Sequence, residues 1–340
     1  METSCLSKRK RSPVFVVGCH RSGTNLLYDI LLSSGGFAVY RGLLPIYDKL
    51  IPHCGRLDRA GNRKTAIDLF LRSNGFRRSG LEAGQLGRSL LNECQTGGDF
   101  IRIVMDAVAR GQSASRWAVY NPDNLLRIQR IKREIPSALF IHIIRDGRDI
   151  ALSLSKMAGF APFPWDRAAS RAVLATALYW QWMLHQGRRQ ARHLDEDYYE
   201  IHYEELVSDP ESALSKLGQF LEHEFDYKRI QNQALGRLRE SNSSFRDEQT
   251  TVNPVNRWKE RLSRTQVSAI EAMVGDCLRA CGYPLVTSES ERQPGLRERC
   301  MRMVYSGYLS TKLWLKTSTP AGRLSNMSLL DLQPFESENY

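Results

Sequence analysis

The chain has 340 residues, of which 42% are hydrophobic and 25% are charged, and its formal net charge at pH 7 is +11. This composition is typical of a globular protein with a large core, and no apolar run approaches the ~20 residues of a membrane-spanning helix. The positive charge indicates an anionic partner. Because the basic side chains are dispersed and not interleaved with aromatic residues, a nucleotide with several phosphates is favoured over specific binding of nucleic acid.

The two ends of the chain are polar. Residues 1–12 contain a short basic run without a following apolar segment, so we expect a basic disordered tail and no secretory signal. We expect residues 318–340 to form a flexible C-terminal tail. No repeat or linker divides residues 13–317, which predicts a single domain. The seven cysteines, an odd number, are scattered along the chain, which favours reduced thiols and a cytoplasmic location.

The first regular elements surround a glycine-bounded loop. Residues 14–17 are an apolar run of β-branched and aromatic side chains, which predicts a strand buried on both faces. Residues 18–23 predict a turn, and the spacing of the leucines that follow predicts a helix beginning near Thr24. A helix N-terminus behind such a loop directs backbone N–H groups and the positive end of the helix dipole at an anion. The stretch therefore predicts a cradle for a phosphate-like group.

The rest of the chain alternates strands with helices. Further strands are predicted at 37–40, 117–120, 138–144 and 198–203, and the third of these is expected to be central because it is continuously apolar and β-branched. Helices are predicted at 43–50, 63–73, 81–94, 100–109, 123–134, 166–193, 211–221 and 265–281, with Asp123 as the N-cap of the fifth. Strands separated by helices are typical of an α/β fold with a parallel sheet.

The glycine-bounded loop limits the kind of anion that it can hold. Gly18 and Gly23 have the spacing of a Walker A loop, but Thr24 stands at the lysine position and Asn25 at the position of the metal-binding hydroxyl. The cation has moved to Arg21, whose guanidinium suits a bidentate grip on phosphate or sulfate oxygens. Without a magnesium ligand the loop is poorly suited to nucleoside triphosphate chemistry, and no G-x-G-x-x-G fingerprint indicates a nicotinamide enzyme.

A second motif follows the predicted central strand. Arg145 leaves the C-terminal end of that strand, where ligands of open α/β sheets bind, and Ser153 lies two helical turns later. An arginine and a hydroxyl placed in this way can hold one phosphate from two sides. The alternative interpretation is that Arg145 and Asp146 only cap the helix.

Both motifs resemble those of one family. The stretch Gly-Cys-His-Arg-Ser-Gly-Thr-Asn-Leu-Leu, which begins at Gly18, is similar to the 5′-phosphosulfate loop of sulfotransferases that use 3′-phosphoadenosine 5′-phosphosulfate (PAPS), in particular the tyrosylprotein and bacterial branches. Arg145 and Ser153 match the family's 3′-phosphate motif. The resemblance implies a P-loop-like three-layer sandwich, with a central parallel sheet flanked by helices. It also implies metal-independent transfer of a sulfuryl group from PAPS to an acceptor hydroxyl or amine, with 3′,5′-ADP as the product.

Two later stretches add to the resemblance. Residues 202–210 look like a stretch that follows a late strand in these enzymes, which places Tyr203 near the nucleotide; an aromatic core residue at a strand end is the competing interpretation. Arg257 and Trp258 loosely match a segment that closes over the adenine and the 3′-phosphate, where stacking of an aromatic ring on a base contributes ~1–3 kcal/mol. The cofactor-binding residues that the resemblance implies are Arg21, Ser22, Gly23, Thr24, Asn25, Arg145, Ser153, Tyr203, Arg257 and Trp258.

The acid–base residues depart from the family pattern. Arg21 is predicted to be catalytic, because charge grows on the leaving 5′-phosphate. Relatives carry a catalytic Glu or His after the first helix, whereas the nearest candidates for a base here are Asp48 and His53, followed by Asp123 and Tyr120. Tyr120 also stands where many relatives have a lysine. The missing base and Tyr120 leave a catalytically inactive nucleotide-binding module open as one alternative. A P-loop kinase is the other alternative, although the loop lacks the lysine and the metal-binding hydroxyl of such an enzyme. The sequence does not indicate the acceptor or the oligomeric state.

Overall fold

The computed structural model describes residues 9–157, 169–233 and 255–321. Within these ranges the centre is a sheet of five parallel strands in the order β2-β3-β1-β4-β5. The strands are β1 (Val14–Gly18), β2 (Phe37–Ala38), β3 (Arg116–Tyr120), β4 (Leu139–Ile144) and β5 (Tyr198–His202). The first strand of the chain therefore lies between the third and the fourth.

Helices cover both faces of this sheet. The first eight are α1 (Thr24–Ser33), α2 (Ile51–Cys54), α3 (Ala60–Leu71), α4 (Asn74–Ser79), α5 (Ala83–Glu93), α6 (Gly97–Gly111), α7 (Ile128–Glu134) and α8 (Gly147–Ser155). The others are α9 (Ala169–Ala191), α10 (Tyr203–Ser208), α11 (Pro210–Leu221), α12 (Tyr227–Gln233), α13 (Trp258–Arg261), α14 (Arg264–Ala280) and α15 (Leu296–Ser318). A π-helix spans Ile46–Leu50 and a 3₁₀-helix spans Pro122–Arg127.

The three layers follow from side chains that alternate along β1. Phe15 and Val17 point into a core that also holds side chains of α6, α9 and α14. Val14 and Val16 point into a second core, formed with α1 and α11 on the opposite face. Every residue of β1 and β4 is buried, as expected for interior parallel strands covered on both faces. The predicted α/β fold with a central parallel sheet flanked by helices is confirmed.

The helix predicted at 43–50 is wrong in its start and its type. Pro45 has a ring that does not fit inside a helix beyond the first turn, so regular structure begins only after it. Its carbonyl oxygen accepts the N–H groups of both Lys49 and Leu50 at 3.0 Å. The bond to Leu50 spans five residues and makes this turn a π-helix, which continues into α2.

The N-cap predicted at Asp123 is also wrong. Asn121 caps this segment, because its side-chain oxygen accepts the N–H of Asp123 at 3.1 Å. Pro122 occupies the first helical position, which suits its fixed φ angle. The segment starts as a 3₁₀-helix and becomes α-helical only from Ile128, so the Asp123 side chain is free of capping and can take part in a site.

Helix α15 is the largest element that the sequence does not predict. Its apolar residues do not form one stripe, since Tyr305 and Leu309 are buried whereas Met303 and Trp314 are exposed. The sequence of α15 therefore shows no clear amphipathic periodicity from which a helix could be predicted.

At the N-terminus, residues 9–12 of the predicted basic tail belong to the described part of the chain. Nε of Arg9 donates to the carbonyl oxygen of Phe220 at 2.7 Å, and the guanidinium lies 4.8 Å from the centre of the Phe220 ring. Other parts of the predictions fall on residues that lie outside the described ones, namely 1–8, 166–168 and 322–340. None of the helices in the described ranges is long and apolar enough to cross a membrane.

Candidate active site

The loop between β1 and α1 forms a tight turn at the C-terminal edge of the sheet. Arg21 and Gly23 both have positive φ angles, 69° and 101°, a backbone conformation that favours glycine. A Cβ atom on Gly23 would lie 2.5 Å from Cδ2 of Tyr203, and one on Gly18 would lie 2.7 Å from the carbonyl oxygen of Ile143. The two glycines of the predicted loop are therefore required by the close approach of its backbone to its neighbours.

Polar groups of this loop suit an anion. The hydroxyl oxygen of Ser22 is buried and has no hydrogen-bond partner. The N–H groups of Thr24 and Asn25 lie in the first turn of α1, where N–H groups have no acceptor within the helix. A buried hydroxyl without a partner beside such N–H groups fits a bound phosphate or sulfate group.

The second predicted motif meets the first at this loop. Nε of Arg21 donates to the hydroxyl oxygen of Ser153 at 3.0 Å, across 132 positions of sequence. Nη1 of Arg145 donates to the carbonyl oxygen of Arg21 at 3.2 Å. Helix α8 is capped by Asp146, whose side chain accepts the N–H of Arg148. The Arg145 side chain is therefore not a helix cap, and it is directed at the loop.

Tyr203, the residue after β5, packs against Arg145 and the loop. Tyr203 is buried, and the centre of its ring lies 4.2 Å from the guanidinium carbon of Arg145. This is a cation–π distance, and the same ring limits the space at Gly23. The two interpretations of Tyr203, a core residue and a residue of the site, are thus compatible.

Asp149 joins α8 to the segment before α13. Its Oδ1 accepts the N–H of Trp258 at 2.9 Å, its Oδ2 accepts the N–H of Asn256 at 3.0 Å, and Oδ2 also lies 3.8 Å from Nη2 of Arg145. Burial raises the pKa of Asp149 to about 6, although the Arg145 guanidinium and the two N–H groups act in the opposite direction. The Asp149 carboxyl group therefore holds the segment before α13 next to Arg145.

The indole of Trp258 lies against protein. It is 3% exposed, and the guanidinium carbon of Arg148 lies 3.9 Å from its ring. Arg148 is itself buried and forms ion pairs of 2.7 Å with Asp146 and with Glu271. In this conformation the indole has no open face for the predicted stacking on adenine, whereas the neighbouring Arg257 is only half-buried.

On the opposite side of the loop, ionisable side chains gather around the residues that follow β3. Nδ2 of Asn121 donates to Oδ1 of Asp48 at 3.1 Å, and Oδ1 of Asp123 lies 3.5 Å from Nε2 of His20. Burial raises the pKa of Asp48, and the Asp123 carboxylate adds to the rise. Burial alone would also raise the pKa of Asp123, but the contact with His20 and nearby cations hold it below its ordinary value. Two neighbouring carboxyl groups thus differ in proton affinity, which is a frequent property of acid–base sites. We call His20, Asp48, Asn121 and Asp123 the acid–base cluster.

Helix α15 contributes a cation to the acid–base cluster. Lys316 is buried, and its charge acts on both Asp48 and Asp123. Burial lowers the pKa of the Lys316 ammonium group, and the two carboxylates offset part of that effect. Arg127 and Lys49 are further cations that act on this group of charges. The two carboxylates are therefore balanced by cations, one of which comes from a distant helix.

The other predicted base candidates have different surroundings. His53 is exposed in α2, and among the described residues no hydrogen bond, ion pair or ring contact joins it to the loop. Tyr120 ends β3, and the centre of its ring lies 4.5 Å from that of Tyr28. The structure thus brings Asp48 and Asp123 together and leaves His53 apart.

Sequence reasoning missed three residues of this region. His20 lies inside the predicted loop, but the spacing of the glycines and the charge of Arg21 indicate an anion site without giving His20 a role. Asn121 carried a usable signal, since Asn followed by Pro is typical of a helix start. Lys316 carried none, because only tertiary packing brings α15 to the acid–base cluster.

A comparison with family models decides the family. The model of the Sulfotransferase family matches residues 13–227, more than half of the chain, including the loop, Arg145, Ser153 and Tyr203. The chain belongs to the Sulfotransferase family. Trp258 and Lys316 lie outside the matched residues of this sulfotransferase. Among curated proteins, no sequence matches it.

Several solved structures are similar to this family member. The sulfotransferase domain of the Synechococcus PCC 7002 olefin synthase is 15% identical over 81% of this chain and 96% of that one, with a TM-score of 0.50. Sulfotransferase STF9 from Mycobacterium avium is 15% identical over 81% and 78% of the two chains, with a TM-score of 0.46. Retinol dehydratase in complex with retinol and PAP is 14% identical over 82% and 84%, with a TM-score of 0.41. The first of these similarities supports the fold alone.

Proposed function

We propose that this sulfotransferase moves a sulfuryl group from PAPS to an acceptor hydroxyl or amine. The observation that carries the proposal is the hydrogen bond between Arg21 and Ser153, with Arg145 held against the same loop. This contact unites two motifs that resemble the family's 5′-phosphosulfate and 3′-phosphate sites. A single nucleotide with anionic groups at both positions would engage both motifs at once.

The loop is assigned to the 5′-phosphosulfate end. The N–H groups of Gly23, Thr24 and Asn25 and the hydroxyl of Ser22 would hold its oxygens. PAPS supplies the activated sulfuryl group when it is bound. Sulfuryl transfer resembles phosphoryl transfer in its loose transition state, so positioning and charge stabilisation provide most of the catalysis. Arg21 is the cation placed to stabilise the charge that grows on the leaving phosphate.

Residues that follow β4 and β5 are assigned to the 3′-phosphate end. Arg145 would form a charge-assisted contact with the 3′-phosphate. Ser153 accepts a hydrogen bond from Arg21, and its own O–H can still donate to a phosphate oxygen. Tyr203 holds the Arg145 guanidinium from the other side. Arg257 precedes the buried Trp258, whose N–H donates to Asp149, and this hydrogen bond holds the segment that contains Arg257 in place.

The acid–base cluster is assigned to the acceptor end. An acceptor hydroxyl or ammonium group must lose a proton in the reaction. Asn121 and Asp123 of this cluster follow β3, whereas Arg145 follows β4. Because β3 and β4 flank β1, the cluster and Arg145 lie on opposite sides of the loop that follows β1. We therefore assign the acceptor's proton to the acid–base cluster, and His53, which lies apart from that cluster, is the less supported candidate for a base.

Calorimetry with three nucleotides tests the cofactor class. We expect 3′,5′-ADP to bind more tightly than 5′-AMP by about tenfold or more, since one charge-assisted phosphate contact separates them. Binding and turnover of PAPS should be unchanged by EDTA. A preference for ATP with Mg²⁺ would replace the proposal with a kinase. Tight binding of 3′,5′-ADP without PAPS turnover on any acceptor would indicate an inactive binding module.

We also propose a cytoplasmic location. The six cysteines in the described ranges are all free thiols, and five of them are buried, which fits a reducing compartment. Cell fractionation tests this proposal. Recovery of the chain in the secreted or the membrane fraction would contradict it.

A further inference from the structure

The imidazole of His20 lies on the β3 side of the phosphosulfate loop, beside a carboxylate. Its Nε2 atom is 3.5 Å from Oδ1 of Asp123, and both atoms are buried without a hydrogen-bond partner. A small rotation of the ring would shorten this separation into a charge-assisted hydrogen bond. Among the described residues no hydrogen bond uses the other ring nitrogen, Nδ1, which leaves it available to a ligand.

The carboxylate beside His20 is held in place by its own backbone. The N–H of Asp123 donates to Oδ1 of Asn121 at 3.1 Å, and Nδ2 of Asn121 donates to Oδ1 of Asp48 at 3.1 Å. The two carboxyl groups of the cluster are therefore connected through one asparagine. Asp48 is buried and already accepts this hydrogen bond, whereas the side chain of His20 is 16% exposed. The Asp123 side chain is 14% exposed, but its Oδ1 is buried and lies beside Nε2 of His20. His20 and Asp123 are thus the members of the cluster that an acceptor can reach, and His20 is the one with a ring nitrogen, Nδ1, that makes no hydrogen bond within the described residues.

We propose that His20 is the general base of the sulfuryl transfer and that Asp123 positions its imidazole. This inference rests on the proposed function. Nδ1 of His20 accepts the proton of the acceptor hydroxyl while the acceptor oxygen bonds to sulfur. The bond between sulfur and the bridging oxygen of the 5′-phosphate breaks, and its electron pair stays on the phosphate. Nε2–H donates to the Asp123 carboxylate, which stabilises the imidazolium that forms.

The place of His20 in the chain supports this role. It directly precedes Arg21, the residue assigned to the leaving phosphate, so the base and the charge-stabilising group belong to adjacent residues of one rigid loop. Catalytic groups held in this way need no reorganisation during the reaction. Lys316 adds a buried positive charge near Asp123 and Asp48, which helps to keep the carboxylate partner of His20 ionised.

The first test measures turnover and nucleotide binding separately. The full-length chain is incubated with PAPS, water serves as the acceptor, and the release of inorganic sulfate is followed. His20→Ala and His20→Asn are expected to lower this rate by ~10²–10⁴-fold, the usual contribution of a general base. The dissociation constant of 3′,5′-ADP, measured by calorimetry, should change by less than about threefold, because a base makes no contact with the product nucleotide. His193→Ala, a change at an exposed histidine, is the matched control and should match the wild type.

Chemical rescue separates a base from a structural residue. Added imidazole should restore sulfate release by His20→Ala and leave the wild-type rate unchanged, because free imidazole can occupy the vacated volume. Asp123→Asn should reduce turnover without being rescued, since its imidazole is present but misoriented.

Four results would overturn the assignment. Two of them are a wild-type rate in both His20 variants and a failure of imidazole to rescue His20→Ala. The third is loss of 3′,5′-ADP binding in both His20 variants. The fourth concerns a further variant, Asp48→Asn, and is a loss of turnover in that variant alone. The last result would assign the base to Asp48. If the wild-type chain itself does not bind 3′,5′-ADP, the proposed function fails, and the failure is distinct from a wrong choice of base.

Discussion

The guanidinium carbon of Arg145 lies 4.2 Å from the centre of the Tyr203 ring. Each residue directly follows a strand, and the last residues of those strands, Ile144 and His202, are partners in the register of β4 and β5. Parallel pairing therefore places the two side chains next to each other. Because the same ring also limits the space at Gly23, Tyr203 fixes Arg145 relative to the loop.

Replacing Arg145 with alanine is expected to weaken binding of 3′,5′-ADP by about 1.5–3 kcal/mol, because a charge-assisted contact with the 3′-phosphate is lost. The affinity for 5′-AMP, which lacks that phosphate, should stay the same. Calorimetry with both nucleotides on both proteins gives the comparison. Equal losses for the two nucleotides would show that Arg145 supports the loop and does not bind the 3′-phosphate.

The ring of Tyr203, and not its hydroxyl, is expected to support Arg145. Tyr203→Phe keeps the aromatic face and should leave the affinity for 3′,5′-ADP nearly unchanged. Tyr203→Leu keeps an apolar side chain but loses the cation–π contact, which is worth about 0.5–1 kcal/mol. Titration calorimetry of the two variants distinguishes them. A larger loss in the phenylalanine variant would instead assign the hydroxyl a direct contact with the nucleotide.

Gly23→Ala is expected to destabilise the fold by about 1–3 kcal/mol, since the φ angle of 101° is strained for alanine. The added Cβ atom would also meet the Tyr203 ring at 2.5 Å. Gly61→Ala in α3 is the matched control, because a Cβ atom there meets nothing within 4 Å, and its stability should be unchanged or higher. Urea unfolding measures both. Equal effects in the two variants would mean that the loop adapts to a side chain.

The Asp149 carboxyl group should make stability depend on pH. Its pKa is about 6 in the folded chain and ~3.9 in an unfolded one. Its contribution to stability is therefore complete at pH values below the unfolded pKa and is lost as the pH rises through 6. Between pH 4.5 and 7.5 this change amounts to about 2 kcal/mol.

Asp149→Asn isolates that contribution. The variant lacks the titrating group, so its free energy of unfolding relative to the wild type should rise by about 2 kcal/mol between pH 4.5 and 7.5. Urea unfolding of both proteins at the two pH values provides the measurement. A constant difference between the two proteins would show that Asp149 titrates normally in the folded chain.

Features carried by local signals were predictable from the sequence. The apolar run of β1, the two glycines of the loop and the spacing of Arg145 and Ser153 each lie within a few residues, where turn chemistry and side-chain periodicity act directly. The predicted start at residue 43 is wrong because the apolar spacing extends back past Pro45, whose ring keeps the residues before it out of the helix. The location of Trp258 was not predicted either, since its partner Arg148 lies far away in the sequence.

The candidates for a base show the limit of sequence reasoning most clearly. Asp48 and His53 lie close together in the sequence, which favours Asp48 only slightly, but in the structure Asp48 belongs to the acid–base cluster and His53 is exposed. A few residues of helix separate the two environments. Asp48 lies in the π-helix and His53 in the α-helix that continues it, and the wider π-helical turn shifts which positions face inward in a way that regular helical spacing does not predict.

The sequence by itself determined which elements carry the site. It specified a buried strand, a glycine-bounded loop, a helix N-terminus and an arginine after the second buried strand, since each depends on neighbouring residues. Only the tertiary structure decided how these elements meet. The order β2-β3-β1-β4-β5 puts the residues after β3 on one side of the loop and those after β4 on the other, so His20 faces Asp123 while Arg21 faces Ser153. Burial and the charge of Lys316 then set the protonation of the two carboxyl groups, because desolvation and Coulomb forces depend on distances across the folded chain and not on distances along it.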